Sequence, residues 1–316
     1  MSDAASRSGL ERLLRTGQFV VTCELATTDS ADPASVYRLA DMLRDRVDAV
    51  NCTDNSAAHP HICGLAAARL LLDRGVEPIL QLACRDRNRL ALQADLLGAA
   101  ALGIRNIVAM TGDDVAAGDH PEAKPIYDVD SMHLLRIARI MRDSGTYLSG
   151  RKLDDPPQVF IGAVENPFAP PFEYRPLRLG KKIEAGAEFV QSQIVFNMER
   201  MRTFMARAGE LGLLSKVFLL AGVYVLRSAR AARYLRDQVP GIDVPDDVIA
   251  RMEGTPADEQ AEEGIRIALE IIEQLRDIPG IAGLHLMSIR GEEAILRVVE
   301  RAGLLPRPAP VGAVRG

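Results

Sequence analysis

The chain has no tryptophan, and aromatic residues supply only 4% of its 316 positions. A sandwich of β-sheets, which relies on large buried rings, is therefore disfavoured. The dominance of alanine and leucine points to many helices packed on a sheet. Cysteine is also scarce: Cys23, Cys52, Cys63 and Cys84 all fall in the first third, at irregular spacings and without a Cys-x-x-Cys pair. Neither a disulfide framework nor a structural zinc site is expected, and the chain reads as cytoplasmic with reduced thiols. His59, His61, His120, His133 and His285 form no His-Glu-x-x-His or related metal spacing. No apolar run reaches the ~18 residues that span a bilayer. The opening Met-Ser-Asp-Ala-Ala-Ser-Arg carries an acid and no apolar stretch, so no signal peptide is expected. Basic runs never exceed two residues and the formal net charge is −5, which argues against a nucleic-acid partner. A Gly-x-Ser-x-Gly elbow and a Walker loop are missing too.

What is present is an ordinary globular mixture, 47% hydrophobic and 26% charged, in a length that suits one large domain. Short apolar runs at 19–25, 47–52, 78–83, 106–110, 159–164, 188–195, 217–221 and 282–289 read as strands. Helical patterns lie between them. Asp32-Pro33 opens the first, followed by 61–74, 88–102 and 131–144. A Pro-rich turn over 166–176 leads into a helix ending at Gly186, and further helices follow at 198–212, 228–238, 257–276 and 291–303. Eight strand–helix units in this length predict an α/β fold of the (β/α)8 TIM-barrel type, as a single domain. The boundaries expected are an N-terminal helix or extension over 1–18, the barrel over 19–305 and a flexible tail over 306–316. The rival, a doubly wound open sheet, needs a glycine-rich phosphate turn after the first strand, and Glu24-Leu25-Ala26-Thr27-Thr28 has none.

In such a barrel the chemistry lies at the carboxyl ends of the strands. Those ends carry Glu24, Thr53 with Asp54, Gln81, Gly112 with Asp113, Asn166, Gln193, Gly222, and Ser288 with Arg290. Alternation places Val20, Thr22 and Glu24 on one face. A carboxyl group at an inner strand end would be partly desolvated and its pKa raised, which suits a proton donor. The plainer reading is a strand-end acid paired with an arginine. Gly112 would let a flat ligand approach closely, with Asp113 bonding its edge, or the pair is simply a turn. Gln191 and Gln193 share a face. Gln193 is either an amide reading a pterin-like ring or a structural glutamine. Arg175, Arg178, Lys181 and Lys182 could hold phosphate, or they form the solvated face of a helix. His285, inside the last strand, reads as a satisfied interior residue.

Five stretches, in order, resemble the methylenetetrahydrofolate reductase family, closest to the type found in acetogens and one-carbon-using bacteria. They are Val21-Thr22-Cys23-Glu24-Leu25; the run from Gln81 through Cys84-Arg85-Asp86-Arg87 to Asn88; the segment from Gly103 to Met110-Thr111-Gly112-Asp113; the segment from Lys181 to Ala187; and Gln191-Ser192-Gln193-Ile194-Val195-Phe196. The resemblance implies a (β/α)8 flavoprotein. It would pass hydride from NADH or NADPH, through FAD, to the methylene carbon of 5,10-methylenetetrahydrofolate, or run the reverse oxidation of 5-methyltetrahydrofolate. By motif match, Glu24 would be the catalytic acid that opens the imidazolidine ring. Asp113 would serve catalysis near the flavin and the folate, and Gln193 would contact the pterin. Thr53, Gln81, Gly112, Tyr127, Ala163 and Lys182 fall at flavin-binding positions.

The pattern departs in places. Gln81 replaces a histidine often found there. Arg175 and Arg178 stand where acid and amide residues hold the ribose or phosphates of FAD. Ala229 and Met287 replace expected aromatics. FMN and an electron-donating partner subunit therefore stand open beside FAD and direct use of NAD(P)H. A homo-oligomer is expected, with no membrane partner. Two other classes remain: a non-redox, methyltransferase-type barrel that binds methyltetrahydrofolate, and a partner-dependent subunit of a one-carbon complex.

Overall fold

The computed structural model describes residues 8–25, 28–288 and 291–308. Arg290, one of the strand-end candidates, lies outside them, as do the first seven residues and the tail from 309. Eight strands run β1 (Val20–Leu25), β2 (Ala49–Cys52), β3 (Pro78–Ala83), β4 (Asn106–Met110), β5 (Phe160–Glu165), β6 (Phe189–Ile194), β7 (Phe218–Tyr224) and β8 (Ile281–Met287). The sheet closes in sequence order, with β8 pairing back onto β1, and every pair is parallel. This is the expected (β/α)8 barrel, and the open doubly wound sheet is excluded.

The outer ring consists of α2 (Ala34–Leu43), α3 (Gly64–Asp73), α4 (Arg89–Ala101), α5 (Ser131–Arg139), α6 (Tyr174–Ala185), α7 (Met198–Glu210), α8 (Ala229–Gln238), α9 (Asp246–Glu253), α10 (Gln260–Arg276) and α11 (Glu292–Arg301), while α1 (Gly9–Arg15) precedes β1. Polar caps start several of them. Asn88 accepts from the backbone N–H of Leu90 and Ala91, Asp130 from His133, Asn197 from Arg200 and Ser228 from Ala231. Several expected boundaries move, and the strand expected over 217–221 runs on to Tyr224. The helix expected from 61 starts at Gly64, because Asn55 and Ala57 turn left-handed and hold the preceding segment as a loop. The helix expected from 257 starts at Gln260, and that expected over 131–144 finishes in a π-turn over Ile140–Ser144. Helix α9 was not anticipated.

Register fixes which side chains point inward. Thr22 lies opposite Ala49 and His285, Glu24 opposite Asn51, Gln81 opposite Val108, and Gly222 opposite His285. Outward side chains such as Cys23, Val50, Leu80 and Ile107 pack under the helices in one large apolar layer. The inward set forms a smaller core at the amino end of the barrel, where Val20, Ala49, Ile79, Val108, Phe160, Phe189 and Leu220 meet Leu10, Leu13 and Leu14 of α1. The rings of Phe160 and Phe189 stack with centroids 4.8 Å apart. Burying each α1 leucine stabilises this floor by about 1.5–3 kcal/mol. The start of α1 is pinned as well: the Glu77 carboxylate accepts from Gly9 N at 2.8 Å, Leu10 N at 2.9 Å and the Asn106 amide at 2.8 Å. The barrel is thus stoppered below, and its polar inward positions lie above the stopper.

Candidate active site

Above the apolar floor, four inward side chains form a closed polar layer: Thr22 on β1, Asn51 on β2, Gln191 on β6 and His285 on β8, all buried. The side-chain amides of Asn51 and Gln191 exchange hydrogen bonds. Asn51 Nδ2 donates to Gln191 Oε1 at 2.7 Å, and Gln191 Nε2 donates to Asn51 Oδ1 at 3.0 Å. Gln191 Nε2 also lies 3.3 Å from Thr22 Oγ1 and 3.3 Å from His285 Nδ1. Thr22 Oγ1 is 3.0 Å from the same imidazole nitrogen. Polar groups buried among apolar strands persist where each finds a partner, and this quartet meets that condition.

Glu24 sits one step higher. Its Oε1 is 3.6 Å from His285 Nε2 and accepts from Gln81 Nε2 at 3.4 Å, with the side chain 35% exposed. Burial pushes the carboxyl group up. The imidazole of His285 and the amide of Gln81 outweigh it and hold Glu24 below the ordinary glutamate value. The raised pKa expected from strand position alone is therefore corrected: the neighbours on β8 and β3 reverse the effect of burial. The partner of Glu24 is a histidine and an amide, where the plainer reading expected an arginine.

Asp113 belongs to a second cluster over the β2–β4 side. Its Oδ2 accepts from Ala57 N at 3.1 Å, and its backbone carbonyl accepts from the Tyr127 hydroxyl at 3.0 Å and from Arg85 Nη1 at 3.4 Å. Arg85, 2% exposed, also binds Asp86 and the carbonyl of Asn55. Gly112 has φ +93°, and a Cβ there would stand 2.9 Å from Arg85 Cβ, so the close approach requires glycine. Asn55, Ala57, Ala58 and Tyr127 all hold positive φ around this cluster. Such backbone strain concentrates at functional loops. Thr53, at the carboxyl end of β2, is buried, and its hydroxyl has no protein partner.

The remaining expected positions lie over β5 and β6. Gln193 Oε1 accepts from Ile194 N at 2.9 Å, beside an irregularity in the β6–β7 register. The Ala163 side chain faces the outer apolar layer. Lys182 is buried against Glu165 at 2.6 Å. Arg175 donates to the carbonyls of Ala169 at 2.6 Å and Pro170 at 2.7 Å. Arg178 and Lys181 line a cavity of about 480 Å³ with Thr111, Asp130, Ser131 and Tyr174. Glu24 and Gln81 thus come together, as do Gly112, Asp113 and Tyr127, while Lys182 and Arg175 serve the β5–α6 junction. The sequence reading missed the layer of Thr22, Asn51 and Gln191 and the reach of His285 to Glu24. The available signal was polar residues recurring every second position inside apolar strands.

The closed ring of eight parallel strands is a (β/α)8 barrel, and Glu24 stands at its carboxyl mouth over the buried histidine–amide layer. A family model described as methylenetetrahydrofolate reductase matches residues 10–303. The chain belongs to the methylenetetrahydrofolate reductase family. A Caenorhabditis elegans protein named as a probable methylenetetrahydrofolate reductase (NADPH) is 24% identical over 241 residues, covering 75% of this chain and 34% of that protein. Methylenetetrahydrofolate reductase 2 of Schizosaccharomyces pombe is 25% identical over 245 residues, 72% of this chain and 36% of the other. The chain therefore spans about a third of the length of these curated relatives. An uncharacterized Clostridium thermocellum protein, described as binding two copies of 5-methyl-5,6,7,8-tetrahydrofolic acid, shares the fold at a TM-score of 0.62 and 13% identity, with 94% of this chain and 100% of that one covered.

Proposed function

We propose that this chain is a flavin-dependent oxidoreductase that interconverts 5,10-methylenetetrahydrofolate and 5-methyltetrahydrofolate, with NAD(P)H as hydride donor. The observation that carries the reading is Glu24, turned into the barrel mouth over a closed polar layer in a chain of this family. The residues present fit a flavin. The buried, unpartnered hydroxyl of Thr53 suits the polar edge of a heterocycle. Arg178 and Lys181 beside the cavity over α6 suit phosphate. Thr53, Gln81, Gly112 and Tyr127 would hold the ring system, FAD or FMN. Arg175, Ala163 and Lys182 would support its cradle through the backbone they fix. When bound, the flavin supplies the hydride chemistry.

The protein's part is acid–base and positional. Glu24 delivers a proton to the imidazolidine nitrogen of the folate, the C–N bond opens, and the carbon left as an iminium accepts hydride. In the opposite direction the carboxylate takes that proton back. Asp113 fixes the β2 and β4 loops that flank the folate, and Gln193 meets the pterin from β6. The four unpaired thiols support a reducing, cytoplasmic setting. Among the described residues, no helix is long and apolar enough to cross a membrane. The reading includes a homo-oligomer. Reduction by NAD(P)H without an added subunit tests whether a partner is required.

The test is spectroscopic. The purified chain absorbs near ~450 nm, bleaches with NAD(P)H and recovers with methylenetetrahydrofolate. Glu24→Gln keeps the flavin and its bleaching but loses folate reduction by about 10²–10⁴-fold, the usual reach of positioned proton transfer. Near-normal folate turnover in that variant would remove Glu24 from the mechanism. A colourless protein that binds methyltetrahydrofolate would replace this reading with the non-redox barrel.

A further inference from the structure

The layer beneath Glu24 holds a histidine whose two nitrogens have different surroundings. His285 is 3% exposed. Its Nε2 faces the Glu24 carboxylate at 3.6 Å. Its Nδ1 faces Thr22 Oγ1 at 3.0 Å and Gln191 Nε2 at 3.3 Å. The Gln191 amide pairs reciprocally with Asn51, and its nitrogen, a donor, lies toward Thr22 and His285.

Thr22 makes this arrangement adaptable. Its hydroxyl has two acceptors within reach, His285 Nδ1 and the carbonyl of Leu284 at 3.3 Å. With neutral His285, the Thr22 hydroxyl or the Gln191 amide donates to Nδ1 and the ring proton sits on Nε2, toward Glu24. With protonated His285, Nδ1–H donates to Thr22 Oγ1 while the hydroxyl turns to Leu284. Both charge states of the ring are thus satisfied without moving a heavy atom. A histidine kept in one state would need only one of these arrangements.

The surroundings isolate the pair. The inward residues of the other strands are neutral: Asn51 on β2, Gln81 on β3, Val108 on β4, Gly162 on β5, Gln191 on β6, and Leu220 and Gly222 on β7. The Glu292 carboxylate on α11 is felt by the outward-facing Cys23 of β1. Below lies the apolar floor with α1. A proton therefore reaches His285 from the mouth, past Glu24, and does not pass through the barrel.

We propose that Glu24 and His285 share one exchangeable proton, held at rest on His285, and that its transfer across the pair arms the carboxyl group. The proposal rests on the proton-donor role given above to Glu24. In the step, the His285 Nε2–H bond breaks and a Glu24 Oε1–H bond forms, leaving neutral imidazole and a carboxylic acid. The acid then gives the proton to the substrate nitrogen, and solvent returns one proton to the pair through the mouth. Exclusion of water by bound substrate favours the neutral pair over the ionic one, which sets the timing. The 3.6 Å separation is that of the ligand-free site, and such contacts tighten in the reacting complex. His285 acts through Glu24 and is a positioning residue.

The experiment follows the imidazole directly. The full-length chain is labelled with 15N-histidine, and His285→Gln identifies the His285 signals among the five histidines by their loss. In wild type, the signals of both His285 ring nitrogens move together with pH, as they do in a ring that gains and loses a proton. In Glu24→Gln the midpoint falls by about one unit or more, because the facing negative charge is gone. Thr22→Val keeps the volume but removes the adaptable hydroxyl, and it too lowers the midpoint; it serves if His285→Gln does not fold. In the functional arm, His285→Gln slows the folate half-reaction about 100-fold and flattens one limb of its pH profile, while reduction of the flavin is unchanged. A His285 that stays in one neutral tautomer throughout, or titrates identically in Glu24→Gln, overturns the shared proton. A coupled titration without folate turnover in wild type leaves the pair standing and refutes the folate reading instead.

Discussion

Lys182 offers a decisive perturbation, because its motif position and its surroundings assign it different work. Its Nζ pairs with Glu165 Oε2 at 2.6 Å, with the two side chains 4% and 0% exposed. It also donates to the carbonyl of Val164. Burial pulls the ammonium below its ordinary value, and the Glu165 charge opposes that pull. Lys182→Met strands a carboxylate in the β5–α6 junction, at a cost of about 3–5 kcal/mol. In a domain of this size that lowers the melting midpoint by about 5–8 °C. Removing both charges, with Lys182→Met and Glu165→Leu, takes away the stranded anion and recovers most of the loss. The assay pairs thermal melting by circular dichroism with flavin retained after desalting. The expected result is a destabilised single variant and a double variant near wild type in both measurements. A Lys182→Met protein that melts like wild type yet loses its flavin, with no recovery in the double variant, would refute the structural role and make the ammonium a direct ligand of the cofactor.

Two further outcomes follow from the barrel floor. An added Cβ at Gly162 would lie 2.3 Å from the Phe189 ring, so Gly162→Ala destabilises by at least the roughly 1–3 kcal/mol typical of overpacking, and Phe189→Leu in the same chain relieves part of it; an unchanged denaturant midpoint in Gly162→Ala would contradict the packing. Burial raises Glu77 above the ordinary glutamate value even against its bonds from Leu10, Asn106 and Gly9. The folded chain therefore holds that proton more tightly than the unfolded one. The contribution is full below the unfolded pKa and is lost as pH rises through the folded one. Relative to Glu77→Gln, wild-type stability measured by denaturant unfolding declines as pH climbs above the ordinary glutamate value, whereas parallel curves would exclude the shift.

The strands were legible because a closed parallel sheet buries both faces, and largely apolar runs such as Pro78–Ala83 and Asn106–Met110 mark it directly. Helix α9 escaped because eight residues are too few for a clear period between Pro245 and the break at Gly254. At the site, Glu24 was visible as an acid ending an apolar strand. Its proton affinity was not, since that depends on Gln81 and His285, 57 and 261 residues away in the chain. The motif showed Lys182 as a basic residue but not its burial, which only the pairing of α6 with the end of β5 decides. Composition also gave no warning that Asn51 and Gln191 would meet across the barrel, 140 residues apart.

The leucines of the short first helix have a consequence for traffic. Among the described residues, Leu10, Leu13 and Leu14 close the barrel from below, so the approach to Glu24 is through the carboxyl mouth. Under the function proposed above, hydride donor and folate share that one approach and take turns at it, and initial-rate plots for the two come out as parallel lines.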